Sequence, residues 1–138
     1  MKIKGYGISG KIWKWIEDFL LQRNQQVVVN GVKSLVALIL SGIPQGSVLG
    51  PLLFICFIND TSEVVQSSIQ MFADDTKIFR TVNNPEQTHL LQDDLDALEE
   101  WSNVWQMRFN AETCKVMHLG SRNKRIEYHM HKEGLRLT

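Results

Sequence analysis

The sequence predicts an α+β domain in which an antiparallel β-sheet packs against α-helices. Three observations support this fold class. Segments with apolar residues at helical spacing alternate with pairs of short segments that are rich in β-branched and aromatic residues. Residues that favour tight turns, Asn30-Gly31 and Asp74-Asp75, separate the two halves of each pair. The resulting order of helix, hairpin, helix, hairpin, helix and strand is typical of the α+β class.

Composition limits the kinds of protein that this chain can be. Its 138 residues are enough for a single domain with a buried core, and 43% hydrophobic with 22% charged residues is the balance of a globular protein. The 15 basic and 15 acidic residues cancel, so no overall basic field attracts nucleic acid. Residues 121–138 form a basic C-terminal segment whose structure the sequence does not predict, with Arg122, Lys124, Arg125 and Lys132. A segment of mixed charge is usually solvated, although a polymerase or nuclease could use such a track.

The cysteines and the apolar segments predict an intracellular protein that does not enter a membrane. Cys56 and Cys114 lie in apolar stretches without the Cys-x-x-Cys spacing of metal sites, which is typical of buried, reduced thiols. Nothing distinguishes nucleus from cytoplasm. The first residues lack the apolar core of a signal peptide. The apolar run of residues 48–58 is well short of the roughly twenty residues that span a bilayer.

The first half of the chain predicts a helix followed by a hairpin. Ser9 is a suitable N-cap, and the apolar residues Ile12, Trp15, Ile16, Phe19 and Leu20 recur at helical spacing after it, whereas Trp13 falls off this stripe. Residues 25–29 and 32–40 are then predicted to be strands on either side of the Asn30-Gly31 turn. Because the second strand is apolar at nearly every position after Leu35, we expect both of its faces to be covered.

The middle of the chain predicts a loop, a helix and a second hairpin. Residues 41–46 contain three turn-forming residues, and an apolar helix from about residue 47 to residue 59 tolerates Pro51 in its first turn. Short runs rich in β-formers at residues 69–72 and 76–79 then flank the two aspartates, which predicts a hairpin with the acids at its tip.

A long amphipathic helix is predicted after the second hairpin. Asn84 is its N-cap, Pro85 its first residue, and Gln87 completes a capping box. Leu91, Leu95, Leu98 and Trp105 form its apolar side, and the acids Asp93, Asp94, Asp96, Glu99 and Glu100 are predicted to be a solvated face. Residues 114–119 are predicted to be a further strand.

The adjacent carboxylates Asp74 and Asp75 are the candidate metal ligands. Two unpaired carboxylates held close together repel each other, and a divalent cation relieves this repulsion. Aspartate is also a favoured turn residue, so the pair alone leaves an ordinary turn open.

Two motifs together resemble a known family. Residues 41–54 (SGIPQGSVLGPLLF) and residues 72–75 (FADD) are similar to the template-and-nucleotide loop and the catalytic hairpin of reverse transcriptases. In particular they resemble the enzymes of non-LTR (LINE-type) retrotransposons, which also carry Ile58-Asn59-Asp60 between the two motifs. Further matches are residues 6–8, 28–31, 101–105, 109–110 and 114–115, so the resemblance covers about residues 4–120.

The resemblance implies a partial polymerase palm and assigns roles to its residues. It implies RNA-directed DNA synthesis by nucleotidyl transfer with two metal ions, Mg²⁺ or in its place Mn²⁺. Asp74 and Asp75 are then the catalytic and metal-binding residues, with Asp74 the principal ligand. Nucleotide and template binding is implied for Pro44, Gln45, Gly46, Phe72 and Ala73. The implied partners are an RNA template, a DNA primer and deoxynucleoside triphosphates.

The chain departs from the family pattern at two places. The family uses a further aspartate on a strand before the Tyr6-Gly7-Ile8 segment, and we expect this ligand and the remainder of the polymerase domain to be missing. Relatives also place a lysine, a candidate proton donor, where this chain has Thr113; whether Lys115 substitutes for it is open. We therefore expect the isolated chain to be inactive. The alternatives are a non-catalytic nucleic-acid-binding module or a non-functional remnant of a retroelement.

Overall fold

The computed structural model describes residues 2–130 and 135–137 and divides the chain into two compact units, Met1–Asn59 and Asp60–Thr138. The helices are α1 (Gly10–Leu20), α2 (Leu49–Ile58) and α3 (Pro85–Trp105). The strands are β1 (Asn24–Gln25), β2 (Val28–Val29), β3 (Val32–Lys33), β4 (Ala37–Leu38), β5 (Ser68–Phe72), β6 (Asp75–Phe79), β7 (His129–Met130) and β8 (Leu135–Arg136). Within the described residues they pair antiparallel as β1–β4, β2–β3, β5–β6 and β7–β8. The α+β class is confirmed.

The first unit packs α1 and α2 around a small apolar core. Ile3, Ile16 and Leu53 are buried at its centre, with Trp13 among the half-buried residues around them. The predicted stripe of α1 is therefore only partly right, since Trp15 is 59% exposed. Ser9 precedes the helix as predicted, but its side chain makes no capping hydrogen bond.

The first hairpin turns where the sequence predicts, but its strands are broken. Asn30 and Gly31 both have positive φ, as a type I′ turn requires. At Ser34 the hydroxyl accepts the Val27 N–H at 3.0 Å while the Ser34 N–H donates to the Val27 carbonyl at 2.9 Å. Because this side chain replaces part of the backbone ladder, the returning strand is divided into β3 and β4. The expectation that both faces are covered is wrong for these residues, since Leu35 is 93% exposed.

In the second unit, α3 begins with the cap that the sequence predicts. The Asn84 side chain accepts the Gln87 N–H at 2.9 Å. The Gln87 side chain in turn accepts the N–H of Asn83 at 2.7 Å, one residue before the partner of a standard capping box. These two bonds satisfy two backbone donors at the start of the helix.

The core of the second unit lies against one side of α3. Leu95 is buried there with Tyr128, Met130 and Leu137, and half-buried Ile78, Leu91, Phe109, Cys114 and Val116 pack around them. Burial raises the pKa of the Cys114 thiol above its ordinary value. Both cysteines are free and half-buried. In the part of the chain that is described, no helix combines the length and apolarity needed to cross a bilayer.

Residues 114–119 belong to no strand ladder, so the strand predicted there is not formed among the described residues. Burial alternates along the segment, with Cys114, Val116 and His118 half-buried and Lys115 exposed. The burial of the side chains thus follows the period of a strand, although the segment pairs with no other strand in the described part of the chain. Of the basic C-terminal segment, Arg122, Lys124 and Arg125 are exposed, and Lys132 lies outside the described residues.

Candidate active site

The two aspartates lie at the tip of the β5–β6 hairpin, as predicted. The strands pair in register from Ser68 opposite Phe79 to Phe72 opposite Asp75. Ala73 and Asp74 form the two-residue turn, and Asp75 is the first residue of β6. A two-residue connection holds the end of the hairpin tightly.

The turn holds Ala73 in a backbone conformation that favours glycine. The φ angle of Ala73 is +52°, whereas Asp74 is not among the residues with positive φ. A positive φ at the first central residue alone is a feature of type II′ turns, where glycine is preferred. A non-glycine residue in such a conformation carries strain of the kind that is found at functional sites.

Ala73→Gly is expected to stabilise the second unit by about 0.5–1 kcal/mol, because glycine adopts positive φ without the Cβ penalty. Urea unfolding measures this difference. The matched control is Ala97→Gly, the same substitution inside α3, which is expected to destabilise by about 1 kcal/mol. Loss of stability in both variants would contradict the assignment of strain to the turn.

Both carboxylates of the tip are available to a ligand. Asp74 and Asp75 are exposed, and neither carboxylate makes a hydrogen bond or an ion pair with the described residues. Two adjacent unpartnered carboxylates repel each other and supply the oxygen ligands that Mg²⁺ and Mn²⁺ prefer. The donor set therefore fits part of a divalent-cation site.

The hairpin presents one face to solvent and the other to its own unit. Ile69 and Ile78 form a half-buried cross-strand pair on the inner face. Phe72, opposite Asp75, is 82% exposed on the outer face. An open cleft at this end of the hairpin is lined by Gln70, Met71, Phe72, Asp75, Thr76 and Lys77. An exposed aromatic ring beside a carboxylate can contact a nucleotide.

The predicted template-and-nucleotide loop forms a tight turn in the first unit. The Ser47 N–H approaches the Pro44 carbonyl at 3.4 Å, and Gly46 has a φ of +78°. A positive φ at the third position is a feature of type II turns and favours glycine there. Gln45 and Gly46 are both exposed at this turn.

Hydrogen bonds of Ser47 connect the turn to α2, and Gly50 allows the two to approach closely. The Ser47 hydroxyl donates to the Pro44 carbonyl at 2.7 Å and accepts the Gly50 N–H at 3.0 Å. It thus closes the turn and also satisfies a backbone donor in the first turn of α2. A Cβ on Gly50 would lie 2.8 Å from both the Pro44 oxygen and the Ser47 Oγ. Arg23 fastens the start of the loop by donating to the Gly42 carbonyl at 2.6 Å.

The structure forms each predicted site motif within its own unit. Phe72, Ala73, Asp74 and Asp75 belong to the second unit, and the turn at residues 44–46 belongs to the first. Among the described residues, no group of three histidine, cysteine, aspartate or glutamate side chains is placed to hold a metal. The joining of the two motifs in one site stays a prediction.

One acid of α3 contradicts its predicted place on a solvated face. Asp94 is only 3% exposed, and its carboxylate accepts the N–H groups of Gln66 and Ser67, directly before β5. The prediction overlooked that Asp94 stands three residues after Leu91 and four before Leu98, which is within the apolar stripe. That spacing was the signal that could have identified it.

The α+β chain combines an antiparallel hairpin that has adjacent carboxylates at its tip with a glycine turn before a helix, which is consistent with a fragment of a polymerase palm. The chain belongs to the reverse transcriptase family, because the family model described as reverse transcriptase (RNA-dependent DNA polymerase) matches residues 2–133. The resemblance to non-LTR retrotransposon enzymes is likewise confirmed.

Two curated relatives support this assignment. The chain is 37% identical over 108 residues to the RNA-directed DNA polymerase from mobile element jockey of Drosophila melanogaster, a match that covers 72% of this chain and 12% of the relative. It is 34% identical over 119 residues to the protein of the same name in Drosophila funebris, covering 78% of this chain and 13% of the relative. The chain thus spans about one eighth of these relatives' length. No solved structure matches the chain closely enough to count as a relative.

Proposed function

We propose that this chain carries the metal-binding hairpin and the nucleotide turn of an RNA-directed DNA polymerase of a retrotransposon. The observation that carries the proposal is the exposed, unpartnered pair Asp74 and Asp75 at the tip of a tightly connected hairpin. The names of the two curated relatives support the same reaction. The partners of such a chain within a complete polymerase are an RNA template, a DNA primer and deoxynucleoside triphosphates, and we place it inside the cell.

Asp74 and Asp75 would hold the divalent ions in this proposal. When bound, Mg²⁺ or Mn²⁺ neutralises charge on the attacking oxygen and on the leaving pyrophosphate. The chain's own residues bind and orient: the small side chain of Ala73 lets the primer end approach the turn. Gly46 lets the backbone of the second turn lie close to a base pair, because no Cβ is in the way. Pro44, Gln45 and Phe72 contribute further contacts to nucleotide and template.

We further propose that the isolated chain does not synthesise DNA. Two carboxylates supply only part of the ligand set of a two-metal site, and the described residues bring no third acid to them. Primer extension on a primed RNA template with Mg²⁺ is therefore expected to give no product. Robust synthesis that Asp74→Ala abolishes would contradict this expectation.

A chimera tests the function itself. Replacing the matched 108-residue segment of the Drosophila melanogaster relative with that of this chain supplies the rest of a polymerase. The chimera is expected to extend a primer, and Asp74→Asn within it to lower the rate by at least about 100-fold, in the range of losing one group that stabilises the transition state. Asp93→Asn, an exposed acid on α3, is the matched control and is expected to leave the rate unchanged. Equal rates in the two variants would contradict the proposed role.

A non-catalytic nucleic-acid-binding role is the second candidate, and the exposed side chains of Arg122, Lys124 and Arg125 favour it. Phosphate contacts release counterions, so binding of an RNA–DNA duplex would weaken steeply with salt. Replacing the three cations with glutamine is expected to reduce both the affinity and the salt dependence if this candidate is right. Binding that is unaffected by these replacements would exclude it.

A further inference from the structure

A single carboxylate of α3 holds the start of the β5–β6 hairpin. Asp94 Oδ1 accepts the Gln66 N–H at 2.7 Å, and Oδ2 accepts the Ser67 N–H at 2.9 Å. Ser67 directly precedes β5. Because both oxygens are engaged by consecutive backbone donors, the carboxylate fixes the direction of this segment and not only its distance from the helix.

The other end of the hairpin reaches the same carboxylate through an arginine. Arg80 directly follows β6, and its Nε donates to the Ser67 hydroxyl at 2.8 Å. A terminal nitrogen of the same guanidinium lies 3.8 Å from Asp94 Oδ2. The side chains of Arg80 and Asp94 are 18% and 4% exposed, so solvent and salt screen this pair less than a surface pair.

Apolar contacts alone leave the direction of the hairpin loosely defined. Ile78 is the hairpin residue that packs against the described apolar core around Leu95. Toward the tip, Phe72 and Thr76 are exposed. Apolar burial is non-directional, so contacts of this kind do not by themselves fix the direction of the hairpin over the core.

We propose that Asp94, together with Arg80 and Ser67, forms a clamp that positions Asp74 and Asp75 for catalysis. The catalytic role of the clamp rests on the proposed polymerase function, whereas the existence of the clamp does not depend on that function. The hairpin has five paired positions, so its tip lies about 17 Å from its base at about 3.4 Å per residue. A pivot of about 5° at the base then moves the tip by about 1.5 Å. A displacement of about 1 Å at a reacting centre can lower a rate by about 100-fold.

Asp94→Asn tests the clamp with a matched control on the same helix. Asparagine keeps one acceptor oxygen and turns the other into a donor, so one backbone N–H loses its partner and the charge next to Arg80 is removed. Asp93→Asn makes the same change of charge at the exposed neighbouring residue. The measurement is the set of residual dipolar couplings of the backbone N–H groups at residues 73–75, with α3 as the reference frame.

In Asp94→Asn we expect the couplings at residues 73–75 to shrink toward zero, while the pairing of Ile69 with Ile78 persists. Hydrogen exchange at Gln66 and Ser67 is expected to accelerate by about tenfold or more. Affinity for Mn²⁺ at the tip is expected to stay within about twofold, because both ligands remain. A residue that only stabilised the fold would not change the direction of an intact hairpin. Couplings that match those of Asp93→Asn would overturn the proposal.

A variant that removes fewer hydrogen bonds tests the same proposal if Asp94→Asn does not fold. Ser67→Ala removes only the acceptor of Arg80 Nε and leaves both bonds to Asp94. The couplings at residues 73–75 are expected to shrink in this variant too, and unchanged couplings would overturn the proposal. The proposed metal site is tested by a separate measurement. If Mn²⁺ does not bind the tip of the wild-type hairpin, the proposed function is contradicted, whereas the orientation of the hairpin measured by the couplings is unaffected.

Discussion

Replacing Asp74 with asparagine is expected to lower the affinity of the chain for Mn²⁺ by at least about tenfold. A unit charge about 4 Å from a divalent ion contributes about 2 kcal/mol even at the dielectric constant of water, and about 1.4 kcal/mol is a factor of ten in affinity. Because neither tip carboxylate has a partner among the described residues, no ion pair must be broken first. Titration calorimetry of the variant and the wild type measures the difference.

The controls for this titration lie in the same chain. Asp75→Asn is expected to weaken binding less than Asp74→Asn, since the family resemblance gives Asp74 the principal role. Asp93→Asn removes an equal charge from an exposed position on α3 and is expected to have almost no effect. An equal loss of affinity in all three variants would indicate diffuse attraction to acidic surface, which contradicts a site at the tip.

Gly50→Ala is expected to destabilise the first unit by about 1–2 kcal/mol. Inside a helix, glycine to alanine ordinarily stabilises by up to about 1 kcal/mol. Here the new Cβ would lie 2.8 Å from the Pro44 carbonyl oxygen and 2.8 Å from Ser47 Oγ. Overpacking of this kind costs about 1–3 kcal/mol and reverses the usual sign. Urea unfolding of the variant measures it.

A double variant identifies the cause of that loss. Ser47→Ala removes one of the two overlapping atoms, so adding it to Gly50→Ala is expected to cost less than the sum of the two single effects. The Pro44 oxygen belongs to the backbone and remains. A Gly50→Ala protein as stable as the wild type would show that the turn at residues 44–47 is not held against α2 as the structure places it.

Local signals predicted the parts of the fold that local chemistry determines. Asn30-Gly31 forms its turn because both residues tolerate positive φ. Asn84 caps α3 because its side chain reaches a donor three residues away. The hairpin around Asp74 and Asp75 follows from its β-forming flanks and short turn.

The features that the sequence did not predict correctly depend on contacts between residues that are distant in the chain. Nothing in the sequence distinguishes Ser34 from an ordinary strand residue. Its hydroxyl nevertheless accepts the Val27 N–H in place of a backbone carbonyl, which divides the predicted strand in two. The buried face of α1 includes Trp13 in place of Trp15, because the core that it meets contains Ile3 and Leu53 from other segments. The predicted strand at residues 114–119 has the alternating burial of a strand but no partner strand in the described residues, and a sequence pattern alone does not reveal this lack.

The candidate site shows the same division. Its exposed candidate residues, Asp74 and Gly46, were predicted from short motifs, because the residue types and their spacing are visible in the sequence. The residues that hold those motifs in place were missed, because each of them acts across a long sequence separation or through its backbone. Asp94 reaches back 27 residues to Ser67, and Arg23 reaches forward 19 residues to Gly42. Acidic residues on an amphipathic helix are usually solvated, so composition alone favoured the wrong place for Asp94.

Paramagnetic broadening by Mn²⁺ tests most directly whether the hairpin tip is the divalent-cation site of a polymerase. Amide signals of the full chain are recorded while Mn²⁺ is added in small amounts. We expect the first signals to broaden at residues 73–76, and this broadening to disappear in Asp74→Asn. Broadening that begins instead along the acidic side of α3, around Asp93 and Glu100, would contradict the assignment of Asp74 and Asp75 as metal ligands.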